Sequence, residues 1–269
     1  MQHVLTSRNH DAVKRVRRLS RRTYRDKDRL FVIEGLRLLG EAAGSGAHFR
    51  EVLYADSRAA DAEHLRHLIG KPVQMHRVTE EVMGYISDVV TSQGLVGVVE
   101  QVDKGLEDLY SGGPSLMLIA DEVRDPGNLG GLIRIADAAG VEGFVATPGC
   151  VDIYNPKVVR SAAGSHFHVP LVRDASLEQI KKTTTDVGAM LLGLDIRGER
   201  CYLDADLTAP TALVVGNEAT GIPGEDMRLL DGTTYIEMPG AAESMNVAAA
   251  AAVVLFEAVR QRKTAACKG

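Results

Sequence analysis

The fold is decided by residues 116–147, which read LMLIADEVRDPGNLGGLIRIADAAGVEGFVAT in this 269-residue chain. The stretch opens with the apolar run Leu116–Ala120, turns at Pro126 and Gly127, and ends in a second apolar run, Gly143–Thr147. Between the turn and the second run, the spacing of apolar residues predicts a helix over Leu129–Ala139. Apolar runs without polar alternation are typical of strands buried on both faces of a parallel sheet. The stretch therefore predicts a strand–helix–strand unit of an α/β fold.

The same pattern continues to the end of the chain. Three more apolar runs, Met190–Leu194, Ala212–Gly216 and Thr234–Met238, predict further strands of the sheet. The Ala-rich stretch Val247–Arg262 predicts a final helix that packs closely on its neighbours. Residues 106–269 are therefore expected to form one α/β domain with a parallel sheet.

A smaller α/β domain is predicted before this one, because short apolar runs alternate with helical patterns between Leu30 and Glu100. The predicted strands are Leu30–Ile33, Val52–Ala55, Val73–Val78 and Leu95–Val99, and the predicted helices are Leu36–Ala43 and Ala59–Ile69. The charged segment Gln101–Pro114 ends in Ser-Gly-Gly-Pro, a composition that predicts an interdomain linker. We therefore expect one domain of residues 1–105 and a second of residues 106–269.

The charge of the chain is distributed unevenly. The net charge of −5, taken for the whole chain, disfavours a nucleic-acid partner. Residues 1–30, however, hold ten lysines and arginines against three aspartates, a local net charge of +7, which leaves −12 for the remainder. Such a basic N-terminal arm is a plausible binding site for phosphates, with Arg17, Arg18, Arg21 and Arg22 as the expected contacts. A solvated basic helix face explains the charge run equally well.

Composition also bounds the environment of the protein. No apolar run approaches the roughly 20 residues that a membrane span needs, and the first residues lack the apolar stretch of a signal peptide, so we expect a soluble cytoplasmic protein. The three cysteines, Cys150, Cys201 and Cys267, are far apart and belong to no CxxC or Cys/His cluster. We therefore predict neither disulfides nor a metal site.

The segments that follow the apolar runs are where a binding site is expected, because ligands of an open parallel sheet bind beyond the carboxyl ends of its strands. In the first such segment, Asn128 is placed to cap a helix that carries Arg134. Backbone N–H groups at the start of a helix favour anions. Taken alone, an ordinary cap followed by a surface arginine is the better explanation of this segment.

Two later segments have similar features. Gly216 and Gly221 bracket a turn that contains Glu218, and glycines there let the backbone approach a ligand closely. Ser244 and Asn246 lie just before the last predicted helix, where they could serve as simple caps. Common enzyme motifs are missing from the sequence: it contains no G-x-G-x-x-G, no G-x-x-x-x-G-K-[ST], no G-x-S-x-G and no H-E-x-x-H.

Together, in this order and at these spacings, the three segments resemble the three motifs of the SpoU/TrmH family of RNA 2′-O-ribose methyltransferases. The matching residues are Asn128-x-x-Gly131-x-x-Arg134, Gly216-Asn-Glu218-x-x-Gly221, and Ile236-x-Met238-Pro239-Gly240 followed by Ser244-Met-Asn246. The resemblance covers residues 115–262. Residues 1–100 more loosely resemble the ribosomal-protein-like RNA-binding domain that precedes the catalytic domain in many members.

The resemblance implies a fold and a cofactor that composition does not show. It implies that the parallel sheet ends in a deep carboxy-terminal trefoil knot, whose loops hold S-adenosylmethionine, and that the protein is a homodimer with the active site near the subunit interface. The residues implied to bind the cofactor are Leu194, Gly216, Gly221, Ile236, Met238 and Met245. Met245 stands where leucine is more frequent, a volume-conserving change that keeps the pocket credible.

The resemblance also implies catalytic residues, which are Arg134, Asn128, Glu218, Ser244 and Asn246. A guanidinium is a poor base, so Arg134 is expected to position a phosphate or the 2′-hydroxyl, with Asn128 and Glu218 fixing its orientation. Arg160 is a further expected contact to RNA phosphate across the dimer. No metal is needed for this transfer.

The function expected from this resemblance is methylation of a ribose 2′-hydroxyl in structured RNA, with 23S ribosomal RNA favoured over transfer RNA because of the separate amino-terminal domain. The alternatives are a catalytically silent RNA-binding scaffold and a transfer RNA 2′-O-methyltransferase. A methyltransferase that modifies a base is disfavoured by the pair of Asn128 and Arg134.

Overall fold

The computed structural model describes residues 4–110 and 115–267, which form two compact units. The N-terminal unit contains the described residues up to Val102 together with the segment Tyr154–Phe167. The C-terminal unit contains Asp103–Ile153 and the described residues from His168 onward. No helix among the described residues is both long enough and apolar enough to cross a membrane.

The N-terminal unit is built on a mixed four-stranded sheet. Its elements are α1 (Asp11–Arg18), α2 (Arg22–Asp28), β1 (Leu30–Glu34), α3 (Leu36–Gly44), β2 (Phe49–Ala55), α4 (Ala59–Ile69), β3 (Gln74–Val78), α5 (Glu80–Ile86) and β4 (Leu95–Glu100). The strands lie in the order β1-β4-β2-β3, and only β2 and β3 are parallel. The four strands and two helices predicted between Leu30 and Glu100 are confirmed, with ends shifted by a few residues.

The described part of the basic segment, residues 4–30, contains the two helices α1 and α2. In α1, Ala12, Val13 and Val16 are buried and belong to a core cluster with residues of the sheet. The charged residues of α1 occupy its other side, because apolar residues at this spacing share one face of a helix. The structure therefore favours a basic helix face over an extended arm.

In its described residues, the C-terminal unit contains seven strands that pair only in parallel. After α6 (Leu106–Tyr110), its elements are β5 (Leu116–Ala120), α7 (Pro126–Ala138), β6 (Gly143–Ala146), β7 (Leu171–Arg173), α9 (Leu177–Asp186), β8 (Met190–Leu194), β9 (Arg200–Cys201), β10 (Thr211–Val215), α10 (Gly224–Met227), β11 (Gly232–Tyr235) and α11 (Val247–Ala266). Helix α8 (Pro156–Ala162) lies in the N-terminal unit. The predicted parallel α/β domain is confirmed.

Two details of the prediction were wrong. The strand predicted over Thr234–Met238 ends at Tyr235, because Ile236 and Met238 turn toward a cleft instead of pairing with a neighbouring strand. The segment Gln101–Pro114 is not only a linker, since α6 buries Leu109 and Tyr110 in the core of the C-terminal unit. Residues 111–114 of that prediction lie outside the described residues.

The sheet order brings four strand ends to one edge. The strands lie in the order β7-β6-β5-β10-β8-β11-β9, so β5, β10, β8 and β11 are consecutive neighbours. In register, Val215 at the end of β10 lies opposite Ala120 on one side and Leu194 on the other. Thr234 of β11 lies opposite Leu194 in turn. The loops that follow these four strands therefore start side by side.

A buried ion pair stabilises the N-terminal unit. Glu51 on β2 is only 1% exposed and accepts a 2.6 Å hydrogen bond from Arg15 of α1. Nε2 of His76 on β3 lies 3.2 Å from the second carboxylate oxygen. Burial opposes ionisation of Glu51, but the hydrogen bonds and charges of His76 and Arg15 outweigh it, so the pKa of Glu51 is lowered.

We predict that Glu51→Gln lowers the free energy of unfolding by about 2 kcal/mol at pH 7, because the change leaves Arg15 without its counter-charge. The lowered pKa of Glu51 means that its stabilising effect is present above the ordinary pKa of a glutamate and is lost as the pH falls through the folded-state value. Urea denaturation at pH 7 and at pH 4 measures both effects. The matched control is Glu63→Gln on α4, where an exposed pair with Arg66 should contribute less than about 0.5 kcal/mol. Equal effects of the two substitutions would contradict the prediction.

Candidate active site

A cleft of about 590 Å³ opens where the four strand ends meet. It is lined by residues 194–197, 215–221, 236, 238 and 243–247, together with Asn128 and Ala250. These residues come from the loops after β5, β8, β10 and β11 and from the start of α11. A cleft at the carboxyl edge of a parallel sheet is the expected position of a ligand site in this class of fold.

The loop after β10 is a tight turn in which two glycines are required. The backbone N–H of Asn217 donates to the Gly221 carbonyl at 3.0 Å, and the Gly221 N–H donates back to Asn217 at 2.9 Å. Gly221 has a φ of +70°, a conformation that favours glycine. A Cβ on Gly216 would lie 2.4 Å from both the carbonyl carbon of Gly221 and the nitrogen of Ile222. The turn therefore closes only because position 216 has no side chain.

Glu218 in this turn holds the loop after β5 and the start of α7 through hydrogen bonds. Its carboxylate accepts hydrogen bonds from the backbone N–H groups of Asp125 at 3.1 Å and Arg124 at 3.4 Å, and from Nδ2 of Asn128 at 3.0 Å. Partial burial opposes ionisation, but the side-chain hydrogen bond from Asn128 and the backbone hydrogen bonds lower the pKa of Glu218. Glu218 is therefore held as a carboxylate that can only accept.

The polarity of Glu218 determines the orientation of two asparagines. Because Nδ2 of Asn128 faces the carboxylate, its Oδ1 points away and accepts a 2.7 Å hydrogen bond from Nδ2 of Asn246. The Oδ1 of Asn246 then accepts from the N–H groups of Ala248 and Ala249 and caps α11. The chain Glu218–Asn128–Asn246 thus ties together the loop after β10, the start of α7 and the start of α11.

Two predicted helix caps need correction. Asp125, not Asn128, caps α7: its Oδ1 accepts from the N–H of Asn128 at 2.8 Å, and Pro126 occupies the first helical position, where it fits best. Asn246 caps α11 as predicted, whereas Ser244 is exposed in the preceding loop and lines the cleft. Both side chains that do not cap, Asn128 and Ser244, therefore have polar groups at the cleft.

The structure places ten of the eleven predicted catalytic and cofactor-binding residues around this cleft. Those that line it are Asn128, Leu194, Gly216, Glu218, Gly221, Ile236, Met238, Ser244, Met245 and Asn246. Arg134 does not line it. Its exposed side chain lies on α7, six residues and about 9 Å of helix beyond Asn128, and forms no hydrogen bond or ion pair with any described residue.

The predicted RNA contacts differ in how they are held. Arg17, Arg18 and Arg22 form exposed ion pairs with Asp88, Asp28 and Asp26 at 4.0, 2.7 and 3.3 Å. Arg21 and Arg160 are exposed in the N-terminal unit, and within the described part of the chain neither has an ion-pair partner. All five guanidinium groups are accessible to a ligand.

Sequence reasoning missed Asp195, which follows β8 and lines the cleft. Its Oδ1 accepts a 2.8 Å hydrogen bond from the backbone N–H of Arg197, and a Cβ on Gly221 would lie 3.3 Å from its Oδ2. Its position directly after the predicted strand Met190–Leu194 was the available signal, the same one that marked the other three loops. Among residues 4–110 and 115–267, no cluster of three or more histidine, cysteine or acidic side chains could hold a metal ion.

Asp121 directly follows β5 and is not among the residues that line the cleft. Its side chain is almost fully buried, with one oxygen accepting a 2.8 Å hydrogen bond from the Thr147 hydroxyl and the other without a partner among the described residues. Burial raises the pKa of Asp121 to about 6, against the opposing effect of the Thr147 hydrogen bond, and the charges of Asp226, Glu122 and Glu178 raise it further. Ionisation of Asp121 therefore lowers the stability of the folded protein.

Comparison with known families matches both units of the chain. The model of the SpoU rRNA Methylase family matches residues 115–256, which contain all the cleft residues. The chain belongs to the SpoU rRNA methylase family. Residues 10–97 match the MRM3-like substrate binding domain. The resemblance inferred from the three motifs is thereby confirmed.

Two relatives and one solved structure match most of the chain. A Bacillus subtilis protein named 23S rRNA (guanosine(2553)-2′-O)-methyltransferase RlmP is 31% identical over 94% of this chain and 97% of its own length. A Streptomyces viridochromogenes protein named 23S rRNA (uridine(2479)-2′-O)-methyltransferase is 32% identical over 96% of this chain and 92% of its own. The crystal structure of the SpoU methyltransferase AviRb from Streptomyces viridochromogenes, in complex with AdoMet, superposes with a TM-score of 0.85 at 30% identity, over 95% of this chain and all of that one.

We predict that Asp121→Asn removes a pH-dependent loss of stability. Because the folded-state pKa is raised above the unfolded value of 3.8, wild-type stability falls as the pH rises from about 4 to about 7, by up to about 3 kcal/mol from this group. The buried amide adds a constant offset that does not vary with pH. Urea denaturation between pH 4 and pH 7.5 should therefore show an increasing stability of the variant relative to the wild type. The exposed control Asp186→Asn should follow the wild-type curve. A difference for Asp121→Asn that stays constant with pH would contradict the prediction.

Proposed function

We propose that this protein transfers the methyl group of S-adenosylmethionine to a ribose 2′-hydroxyl of 23S ribosomal RNA. The observation that carries the proposal is the joining of the three family motifs by one hydrogen-bonded chain, Glu218–Asn128–Asn246, around a single cleft. The two named relatives that span nearly the whole chain support the choice of reaction and of RNA.

The residues of the cleft fit the proposed cofactor. A volume of about 590 Å³ lies in the range of small-molecule sites, and the apolar side chains of Leu194, Ile236 and Met238 suit a purine. The bare backbone at Gly216 permits close approach of a ligand. Asp195 and Glu218 supply carboxylates on the same cleft, which favour a cationic ligand. When bound, S-adenosylmethionine supplies a methyl group that its positive sulfonium makes electrophilic.

Arg134 is proposed to hold the RNA. A guanidinium has only hydrogen-bond donors, so Arg134 binds a phosphate or the 2′-hydroxyl and does not accept the proton of that hydroxyl. The Arg134 side chain is available to bind RNA because it forms no ion pair with any described residue. The Ser244 hydroxyl, exposed at the cleft, is proposed to hydrogen-bond the ribose. In this scheme catalysis depends on alignment of the 2′-oxygen by residues that the hydrogen-bonded chain keeps in place.

The nucleotide that is modified does not follow from the relatives, because their names give a guanosine in one case and a uridine in the other. We propose ribosomal over transfer RNA, because residues 10–97 match a substrate binding domain and both relatives are named for 23S rRNA. A silent RNA-binding scaffold is the outcome to be distinguished by experiment.

We further propose a cytoplasmic homodimer whose C-terminal sheet ends in a trefoil knot. Phe256 on α11 supports a second chain as partner, since this large apolar side chain lies outside the cleft and is 48% exposed. Analytical ultracentrifugation tests the oligomeric state. The two-domain boundary near residue 105 and the absence of a metal remain predictions.

We predict that Gly216→Ala weakens S-adenosylmethionine binding at least 100-fold in calorimetry, because the added Cβ would force the turn at residues 216–221 apart. The matched control is Gly224→Ala at the start of α10, where a Cβ meets no atom within 4 Å and binding should be unchanged. Wild-type affinity in Gly216→Ala would show that the cofactor does not use this turn.

We predict that Arg134→Ala lowers transfer of tritiated methyl groups to deproteinised 23S ribosomal RNA at least 100-fold, while the affinity for S-adenosylmethionine stays unchanged because Arg134 lies outside the cleft. The control Arg66→Ala removes the same charge from α4 and should leave transfer unaffected.

The wild-type reaction decides the enzyme question. Transfer to ribose establishes the proposed function. Normal cofactor binding without transfer to any RNA would favour the scaffold, and transfer to transfer RNA alone would correct the substrate.

A further inference from the structure

An exposed tyrosine in the N-terminal unit is flanked by two arginines from other segments. The guanidinium carbon of Arg8 lies 4.7 Å from the centre of the Tyr85 ring, and that of Arg17 lies 5.0 Å from it. Tyr85 is 37% exposed, on α5. Both distances are within the range of a cation–π interaction. The partly exposed ring therefore lies at the surface in contact with two charged groups.

The acidic partners of these arginines bind them weakly. Arg8 pairs with Glu81 at 2.9 Å, and Arg17 pairs with Asp88 at 4.0 Å, and all four side chains are at least one-third exposed. Exposed ion pairs of this kind contribute only about 0–1 kcal/mol. The arginines can therefore exchange these carboxylates for the phosphates of a ligand at small cost.

The surface beside the tyrosine is basic. On α1, Lys14, Arg17 and Arg18 are exposed at i, i+3 and i+4, so they share one side of the helix, and Arg21 follows after the helix ends. The only acidic residue of α1 is Asp11. An anionic polymer is the ligand that a row of this kind favours.

The loop that follows α5 is fixed at its base and apolar at its tip. One carboxylate, that of Glu34 on β1, accepts hydrogen bonds from the Ser87 hydroxyl at 2.9 Å, the Ser92 hydroxyl at 3.0 Å and the backbone N–H of Gln93 at 3.0 Å. Both ends of the loop are thereby held to the same strand. Val90 between them is wholly exposed. A fixed loop that presents an apolar side chain to solvent is suited to contact a ligand without a large cost of ordering.

We propose that Tyr85, Arg8 and Arg17 form a stacking site for an unpaired base of the RNA substrate, with Val90 contacting the neighbouring nucleotide. Bases stack on aromatic rings and on guanidinium planes, and only bases outside a duplex are available for this contact. The arginines hold the phosphates that flank the stacked base. This inference rests on the proposed function, because it takes the RNA substrate as given and names the surface and the form of RNA that it binds.

The test measures binding of the full-length protein to deproteinised 23S ribosomal RNA in a filter assay. Tyr85→Leu, which keeps the apolar volume and removes the aromatic ring, should weaken binding about tenfold, and Tyr85→Ala at least as much. Tyr85→Phe should stay within twofold of the wild type, because the ring remains. The charge control Arg66→Ala, on α4 of the same unit, should also stay within twofold. Thermal melting identifies any variant that fails to fold. If Tyr85→Ala does not fold, the binding of Tyr85→Leu alone decides the test.

Competition distinguishes the form of the RNA. A 20-nucleotide oligouridine should displace the ribosomal RNA from the wild type at lower concentration than a 20-base-pair RNA duplex, and Tyr85→Leu should lose this preference. Wild-type affinity in Tyr85→Leu, or equal competition by the duplex, would overturn the proposal and leave a protein partner as the occupant to consider.

Methyl transfer separates this inference from the proposed function. If the wild type methylates the RNA, Tyr85→Leu should raise the KM for RNA with kcat unchanged, and an unchanged KM and affinity would overturn the stacking site while the enzyme function stands. If the wild type transfers no methyl group but Tyr85→Leu still loses RNA binding, the stacking site stands and the proposed function fails.

Discussion

The ionised carboxylate of Glu218 is the group on which the arrangement of the cleft depends. A carboxylate only accepts hydrogen bonds, so the amide of Asn128 must face it, and the oxygen of Asn128 must then face Asn246. Asn246 is left with its own oxygen toward the start of α11, where it caps the helix. One negative charge therefore orients two asparagine side chains that lie far from it, and from each other, in the sequence. The cleft is preorganised in the sense that matters for alignment of two reactants.

This chain of hydrogen bonds forms because the sheet brings its loops to one edge. The register that sets Val215 beside Ala120 and Leu194 makes the loops after β10, β5 and β8 neighbours at their first residue. The close approach of Gly216 to Gly221 then bends the chain so that Glu218 points at the start of α7. The strand register brings the loops together, the glycine contact bends the loop after β10, and the carboxylate then orients the asparagines. Each of these steps has a separate physical cause.

Much of this arrangement could be predicted from the sequence, and the exceptions have physical reasons. The apolar runs predicted the parallel strands because strands buried on two faces leave a clear pattern, whereas β7 and β9, with three and two residues, are too short to leave one. Ile236 and Met238 look like strand residues because a cleft that encloses a ligand also needs apolar side chains. Asn128 was mistaken for a cap because Asp125 and Pro126, the true cap and first helical residue, lie just before it. The spacing of the motifs located the cleft residues, but it gave no measure of how far Arg134 lies from them.

Basic and acidic functional groups are divided between the two units. The basic helices lie in the unit that matches a substrate binding domain, and the carboxylates of the cleft lie in the unit that matches the methylase family. Both features support one function, methylation of a ribose of 23S ribosomal RNA at the cleft that the Glu218–Asn128–Asn246 chain holds together. The most direct measurement is a nucleotide-resolution map of 2′-O-methyl groups in this RNA from source cells with and without the gene. We expect a methylated ribose that is present only when the gene is present, and identical maps would contradict methylation of this RNA by the protein.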